Sequence, residues 1–308
     1  MIHFFKALAD ETRLKITAIL SMGEFSVQEI MRILDMGQSR ISRHLKILSD
    51  AHIADFRRDG AKVYYTLSNE MKSHRSTLIN LTIDWCKEYP EWRTLAMSVE
   101  EILEWRRSQS RSFFANVGQD WSTLLGHFID QKEFIEALKA QVKGVDVLAD
   151  LGCGPGFILR ELSTVVEKLI GIDYSDKMLQ HARDNLRDLR ADGRVELRLG
   201  AIEHLPMKDG EVDLILINLV LHHIAEPHGI FQEVNRTLKP EGKVIIIDFN
   251  KHQKEDFREE MADIWLGFDA KDLKTWLKVA GFTDIQVEVF PGGRNSVELI
   301  AAQGTKSD

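Results

Sequence analysis

From Val145 onward this chain carries short apolar runs rich in β-branched residues: VLADLG, EKLIGID, VELRLG, VDLILIN, GKVIIIDF, TDIQVEVF and SVELIAAQ. Helical segments lie between most of them. β-branched residues suit a pleated surface, and strands returned to the same end of a sheet by helices pair in parallel. The alternation predicts a doubly wound, mainly parallel sheet. At 308 residues, with 44% hydrophobic composition, the chain is long enough for a second domain with its own core.

Upstream of Val145 the periodicity changes. Asp10 caps ETRLKITAILSM, and Ser26 with Glu29 forms a capping box that opens SVQEIMRILD. A turn at Met36-Gly37 leads into SRISRHLKILSDA, whose helical wheel separates Arg40, Arg43, His44 and Lys46 from Ile41, Leu45 and Leu48. Two short helices about a glycine turn are the helix-turn-helix signature. Next come IADFRRD, the hairpin pair Asp59-Gly60, and AKVYYTLS, so the unit reads as a winged helix-turn-helix. A net charge of -8 argues against indiscriminate binding to nucleic acid. Even so, Arg40, Arg43, Lys46, Arg57, Arg58 and Lys62 fall in one short window where the local field is positive.

On LADETRLKITAIL, SVQEI and SRISRHLKILSDAHIADFRRDGAKVYYTLS, residues 1–70 resemble the ArsR family of bacterial and archaeal repressors. The resemblance implies a homodimer that binds short inverted repeats in double-stranded promoter DNA. In that docking the recognition helix offers Gln38, Ser39, Arg40, Ser42, Arg43 and His44 to the bases, and the wing offers Arg57, Arg58 and Lys62 to phosphate or the minor groove. Many such repressors sense metals through a cysteine pair ahead of the recognition helix. This chain has GEFSVQEI there, which puts metal sensing in doubt.

Residues 71–130 read as a helical connector and dimerisation region. Pro90 is its break, Ser98 with Glu101 forms a second capping box, and Trp85, Trp92, Trp105 and Trp121 are taken as core at helical spacing. Cys86 and Cys153 are too few for a thiolate–metal cluster and too far apart to suggest a disulfide. The start, MIHFFKALADE, is not a signal peptide, and no apolar run is long enough to span a bilayer, so a cytoplasmic protein is expected.

DLGCGPG, residues 150–156, sits where a strand passes into a helix, and Asp173 closes the next strand in LIGID. Glycines let a ligand approach the backbone, and a carboxylate at the second strand's end accepts bonds from two ribose hydroxyls. The spacing is GxGxG with an acid, Asp150, ahead of it. A dinucleotide pyrophosphate would be repelled by that carboxylate, whereas an amino-acid ammonium would be attracted. An adenosine carrying an amino-acid tail therefore suits the loop.

With IDYSDKMLQHAR, GAIEHLP, ILINLVLHHI, TLKPEGKVIIIDF and WLGFDAKDLKTWLKVAGF, residues 110–303 resemble the class I S-adenosylmethionine (SAM) methyltransferases. By that resemblance Asp150, Gly152, Cys153 and Gly154 hold the methionine part, Asp173 the ribose, and Tyr174 and Met178 the adenine faces. Asn218 and Leu219 line the sulfur and acceptor side, and RSFFANVGQDW is similar to the family's amino-terminal lid. Ala201 stands where the family often has an adenine-binding Asp, leaving main-chain groups at Ile202 to serve. Cys153 is read as a small, inert residue. His222 and His223 are read as pocket wall or satisfied core, because no third ligand lies near them in sequence.

The expected fold is thus α/β, with an amino-terminal winged helix-turn-helix (1–70), a connector (71–130) and a Rossmann-like class I methyltransferase domain (131–308). In this order the halves resemble ArsR-type regulators with a methyltransferase-like domain, some of which respond to S-adenosylhomocysteine (SAH) and control methionine-cycle genes. That implies a dimeric repressor with SAM or SAH as effector. The alternative is an active methyltransferase acting on a small molecule. No catalytic residue is singled out, no metal is expected, and arsenite is a poor acceptor for a chain so short of thiolates.

Overall fold

The computed structural model describes residues 2–68, 73–117, 131–291 and 297–307. The chain divides into two compact units, Met1–Arg106 and Arg107–Asp308.

In the first unit, helix α1 (Ile2–Leu8) is followed by α2 (Glu11–Leu20), whose start is fixed by Asp10 accepting a hydrogen bond from the Arg13 amide at 3.0 Å. Helix α3 (Val27–Leu34) opens on the expected capping box. The Ser26 amide donates to Glu29 Oε2 at 2.7 Å and the Glu29 amide to Ser26 Oγ at 3.3 Å, so two otherwise orphaned donors are satisfied. Helix α4 (Gln38–Asp50) buries Ile41, Leu45 and Leu48 completely. The turn between α3 and α4 differs from expectation in one respect. Asp35, at φ 49°, takes the left-handed position, while Gly37 caps α4 in an extended conformation. A short polar side chain tolerates that region better than most. Strand β1 (Phe25–Ser26) pairs with β3 (Lys62–Leu67), and β3 pairs with β2 (Ala54–Asp59) in an antiparallel hairpin whose tip holds Gly60 at φ 59°.

Helix α5 (Ser73–Cys86) precedes α6 (Pro90–Val117), and Pro90 opens α6 at the first helical position, where its missing N–H costs nothing. The second capping box does not start a helix. Ser98 and Glu101 lie inside α6 because the buried stripe Leu95, Val99, Ile102 and Leu103 runs through them without a break.

The second unit holds a seven-stranded sheet in the order β6-β5-β4-β7-β8-β10-β9, formed by β4 (Val147–Leu151), β5 (Lys168–Asp173), β6 (Val195–Leu199), β7 (Val212–Asn218), β8 (Leu238–Phe249), β9 (Phe282–Phe290) and β10 (Leu299–Lys306). All seven predicted strands are present. The five from β6 to β8 are parallel, and β10 lies antiparallel between β8 and β9. One face packs on the helices Gln131–Gln141, Phe157–Leu162 and Asp176–Asn185 through a core that includes Leu138, Leu159, Leu179 and Leu216. The chain runs from β4 outward to β5 and β6, then crosses to β7. The strand order therefore reverses between β4 and β7, opening a crevice at their carboxyl ends. Among the described residues no helix is long and apolar enough to cross a membrane.

Candidate functional site

At the carboxyl end of β4 the chain turns through Gly152, Gly154 and Gly156, with φ of 74°, 51° and 82°. The turn is anchored by the amides of Gly152 and Cys153, which donate to the Ile172 carbonyl at 2.7 and 3.1 Å. At Gly152 a β-carbon would lie 2.5 Å from Val220 Cγ2, and at Gly156 one would lie 2.6 Å from Leu186 Cδ1. Both positions favour glycine on φ, and at Gly152 the short, branched Val220 side chain adds a packing demand that the flexible Leu186 does not make at Gly156.

The next strand brings its acid to the same end. Asp173 accepts hydrogen bonds from the Gly154 amide at 2.9 Å and the Ser175 amide at 2.8 Å, which aim its carboxylate across the loop. Register places Asp150 opposite Gly171, two residues short of Asp173. Both acids are buried. Burial, and after it the charge of Asp173, push the Asp150 carboxyl up to about 8. Burial also raises Asp173, against the two amides that favour its ionised form. A ligand that carries an ammonium group and a ribose fits these two acids, since the cation would compensate buried charge and the hydroxyls would donate to Asp173.

The remaining predicted residues surround this loop unevenly. Tyr174 is partly exposed and is hydrogen-bonded by Ser110 of α6, and burial raises its pKa. Met178 is buried in the first turn of the helix that Ser175 caps. Ala201 and Ile202 follow β6, the first exposed and the second buried. Cys153 is buried and its thiol pushed well up, chiefly by burial. Of the lid motif RSFFANVGQDW, Arg111–Val117 end α6, and the remainder, with Trp121, lies outside the described residues.

Beyond the reversal point, Asn218 ends β7 with its Oδ1 buried and without a hydrogen-bond partner among the described residues. Leu219 follows at φ 53°, a conformation uncommon for a branched side chain. A short helical turn, Leu221–His223, then places His222 Nδ1 2.7 Å from Asp248 Oδ1, near the end of β8. His222 Nε2 lies 3.8 Å, and His223 Nδ1 4.0 Å, from Asp263 Oδ1. Burial pulls the His222 pKa down, but Asp248 and Asp263 outweigh it and leave it raised; burial and the neighbouring His222 push His223 well down. Sequence reasoning missed both acids. Asp248 was detectable as a lone charge ending the apolar run VIIIDF, whereas Asp263 had no local signal.

In the first unit, Gln38, Ser39, Arg40, Ser42 and Arg43 are exposed along one face of α4, and Arg58 and Lys62 are exposed on the wing. His44 is half-buried, with Nδ1 3.7 Å from Asp10 Oδ1. Arg57 departs from the expectation of a surface contact. Its guanidinium is 2.6 Å from Glu24 and 3.7 Å from Asp59, and its side chain is only 11% exposed, so it braces the wing from within.

Comparison with known proteins follows this division. Residues 10–55 match the family described as bacterial regulatory protein, arsR family, and residues 141–281 match a methyltransferase domain. The chain joins an ArsR-family helix-turn-helix to a class I SAM-dependent methyltransferase domain. It is 33% identical over 121 residues to a demethylmenaquinone methyltransferase of Lactobacillus johnsonii, covering 38% of this chain and 49% of that protein. It is 33% identical over 163 residues to an arsenite methyltransferase of Halobacterium salinarum, covering 49% of this chain and 41% of that protein. The chain thus spans less than half the length of either relative. In fold it is similar to a Haemonchus contortus phospholethanolamine N-methyltransferase solved with S-adenosylhomocysteine, with TM-score 0.50 and 18% identity over 58% of this chain and 53% of that one.

Proposed function

We propose that this protein is a homodimeric transcriptional repressor that binds an inverted repeat in promoter DNA through α4 and the β2–β3 wing. Its methyltransferase domain takes SAM or SAH as an effector, and methionine-cycle genes are its targets. The observation that carries this reading is the pairing, in one chain, of an exposed arginine face on α4 with two buried acids, Asp150 and Asp173, that suit an aminoacyl-adenosine ligand. The arginines supply phosphate and base contacts. The acids supply the ligand's anchor.

A repressor of this kind needs its ligand to bind the two DNA-affinity states unequally, and reciprocity makes DNA alter ligand affinity by the same factor. Helix α6 supports such coupling from within each unit. In the first, Arg106 donates from Nε and Nη2 to Glu29 at 3.0 and 2.8 Å, gripping the acid that closes the α3 capping box. In the second, Ser110 bonds Tyr174 beside the ligand acids. Dimerisation is supported by the exposed apolar residues Leu81, Trp85, Tyr89, Met97 and Trp105 on and between α5 and α6.

The test is operator binding titrated separately with SAM and with SAH, which differ by a methyl group and a sulfonium charge. One ligand, SAH by our reading, shifts operator affinity several-fold and the other much less; each tenfold corresponds to about 1.4 kcal/mol. Two unmoved titrations would sink the sensor reading.

The relatives' names favour a second reading, an active methyltransferase whose regulatory half is attached. In that case labelled SAM turns over on a small acceptor. Arsenite is disfavoured, because the chain has only Cys86 and Cys153 and the latter is buried in the glycine loop.

A further inference from the structure

Four titratable side chains have no role in the proposed binding of DNA or of SAM and SAH: His222, His223, Asp248 and Asp263. The fold assembles them from three places, the turn after β7, the end of β8 and the loop around residue 263. The side chains of Asp248 and Asp263 are 0% exposed and that of His222 is 1% exposed. One donor atom from each of His222, His223 and Asp263 can be chosen so that all three lie within 4.8 Å of one another.

We propose that His222, His223 and Asp263 bind one borderline divalent cation, of the zinc or ferrous class, with Asp248 orienting His222. Two imidazoles and one carboxylate are a donor set that such cations accept. Donors around a tetrahedral ion at bonds of about 2.0–2.2 Å sit roughly 3.5 Å apart. The 3.8 Å separation of His222 Nε2 from Asp263 needs only a small contraction. His223 Nδ1, 4.0 Å from Asp263, is also 3.4 Å from the Ala262 carbonyl, a contact that coordination through this nitrogen replaces.

A second observation is independent of the clustering. Among the described residues His222 Nε2 is buried and has no hydrogen-bond partner, while Nδ1 of the same ring is held at 2.7 Å by Asp248. A carboxylate on one ring nitrogen fixes the tautomer that presents the other as a lone pair. Asp248 is itself fixed, accepting from the Leu221 amide at 2.9 Å and the Phe249 amide at 2.7 Å. The Ile264 and Trp265 amides donate to the His222 carbonyl at 3.0 and 3.1 Å, tying the loop that bears Asp263 to the turn that bears the histidines. A dication also compensates two carboxylates enclosed where water does not reach.

The site adjoins the ligand crevice. Val220, against which Gly152 is packed, immediately precedes the Leu221–His223 turn. The bound ion would clamp the acceptor-side wall.

The experiment uses the full chain without a histidine tag, dialysed against chelator and titrated with Zn²⁺ in the presence of a chromogenic competitor. Metal content is read by mass spectrometry. The expected result is one zinc per chain, a raised thermal midpoint, and a cobalt-substituted form with visible ligand-field bands but without the near-ultraviolet thiolate charge-transfer band that Cys86 or Cys153 would add. Asp263→Asn and His223→Gln abolish stoichiometric binding. Asp248→Asn weakens it by about tenfold or more. The competing account is a purely structural cluster, with a protonated His222 bridging Asp248 and Asp263. Wild-type protein that stays folded, takes up no zinc and shows no shift in thermal midpoint establishes that account and overturns the proposal, as does zinc binding unchanged in folded Asp263→Asn. The wild-type stoichiometry decides the matter even where a variant does not fold.

Discussion

At the scale of single residues, the acid ahead of the glycine loop makes the clearest quantitative demand. Asp150 is buried and its carboxyl is pushed up to about 8, first by burial and then by Asp173. An unfolded Asp titrates near 3.9, so between about pH 4 and 8 the folded state holds more protons than the unfolded one, and stability falls as pH rises through that window. A ligand ammonium reverses the preference by favouring the ionised form. Between pH 6 and 7.5, SAH affinity is therefore expected to rise with pH, at a limiting slope of about tenfold per unit, with a proton released on binding. Calorimetry in buffers of different ionisation enthalpy measures that proton. Asp150→Asn should flatten both the affinity profile and the stability slope, and a wild-type profile already flat from pH 6 would refute the assignment. The methyl group of Ala201 offers no acceptor to an adenine amine.

Among the elements, α4 separates cleanly into a packing face and a contact face. Ile41, Leu45 and Leu48 hold it to the unit with no exposed surface, so changes on the opposite face should leave the fold intact. Arg40→Ala with Arg43→Ala is expected to weaken operator binding at every salt concentration. It should also make the log affinity against log salt line shallower, by about 0.9 for each phosphate that is no longer neutralised. Fluorescence anisotropy across a salt series reads both quantities, with circular dichroism confirming the helix content. Arg57→Ala should behave differently. Its guanidinium is engaged by Glu24 and Asp59, so the loss is expected in thermal stability more than in the salt slope.

For the molecule as a whole, the proposed repressor function requires that two copies associate. Trp85 and Trp105 are 63% and 50% exposed, contrary to the core role that their helical spacing suggested, because the buried positions are already filled, by Ile79 and Ile83 on α5 and by Leu95, Val99 and Ile102 on α6. Large exposed aromatics are what a second copy would cover. Sedimentation of the wild-type chain should show a dimer, and Trp85→Glu combined with Trp105→Glu should give a folded monomer with much weaker operator binding, since two linked half-sites reinforce each other. A wild-type chain that sediments as a monomer with full operator affinity would remove dimerisation from the account.

Local chemistry is what the amino-acid sequence determined by itself. The caps at Asp10 and Ser26, the hairpin at Asp59-Gly60, the seven strands and the strand-to-helix glycine loop each depend on residues within a few positions of one another. Propensity, capping and turn geometry act over that range, so these features were legible. The exceptions were also local. A capping box inside a continuous apolar stripe starts no helix, as Ser98 and Glu101 show within α6. The tertiary structure decided what depends on distant partners. It turned Arg57 inward onto Glu24, set Arg106 on Glu29, and brought Asp248 and Asp263 to His222 from 26 and 41 positions further along the chain. Burial of charge drives such pairings, and burial is settled only when strands and loops pack together.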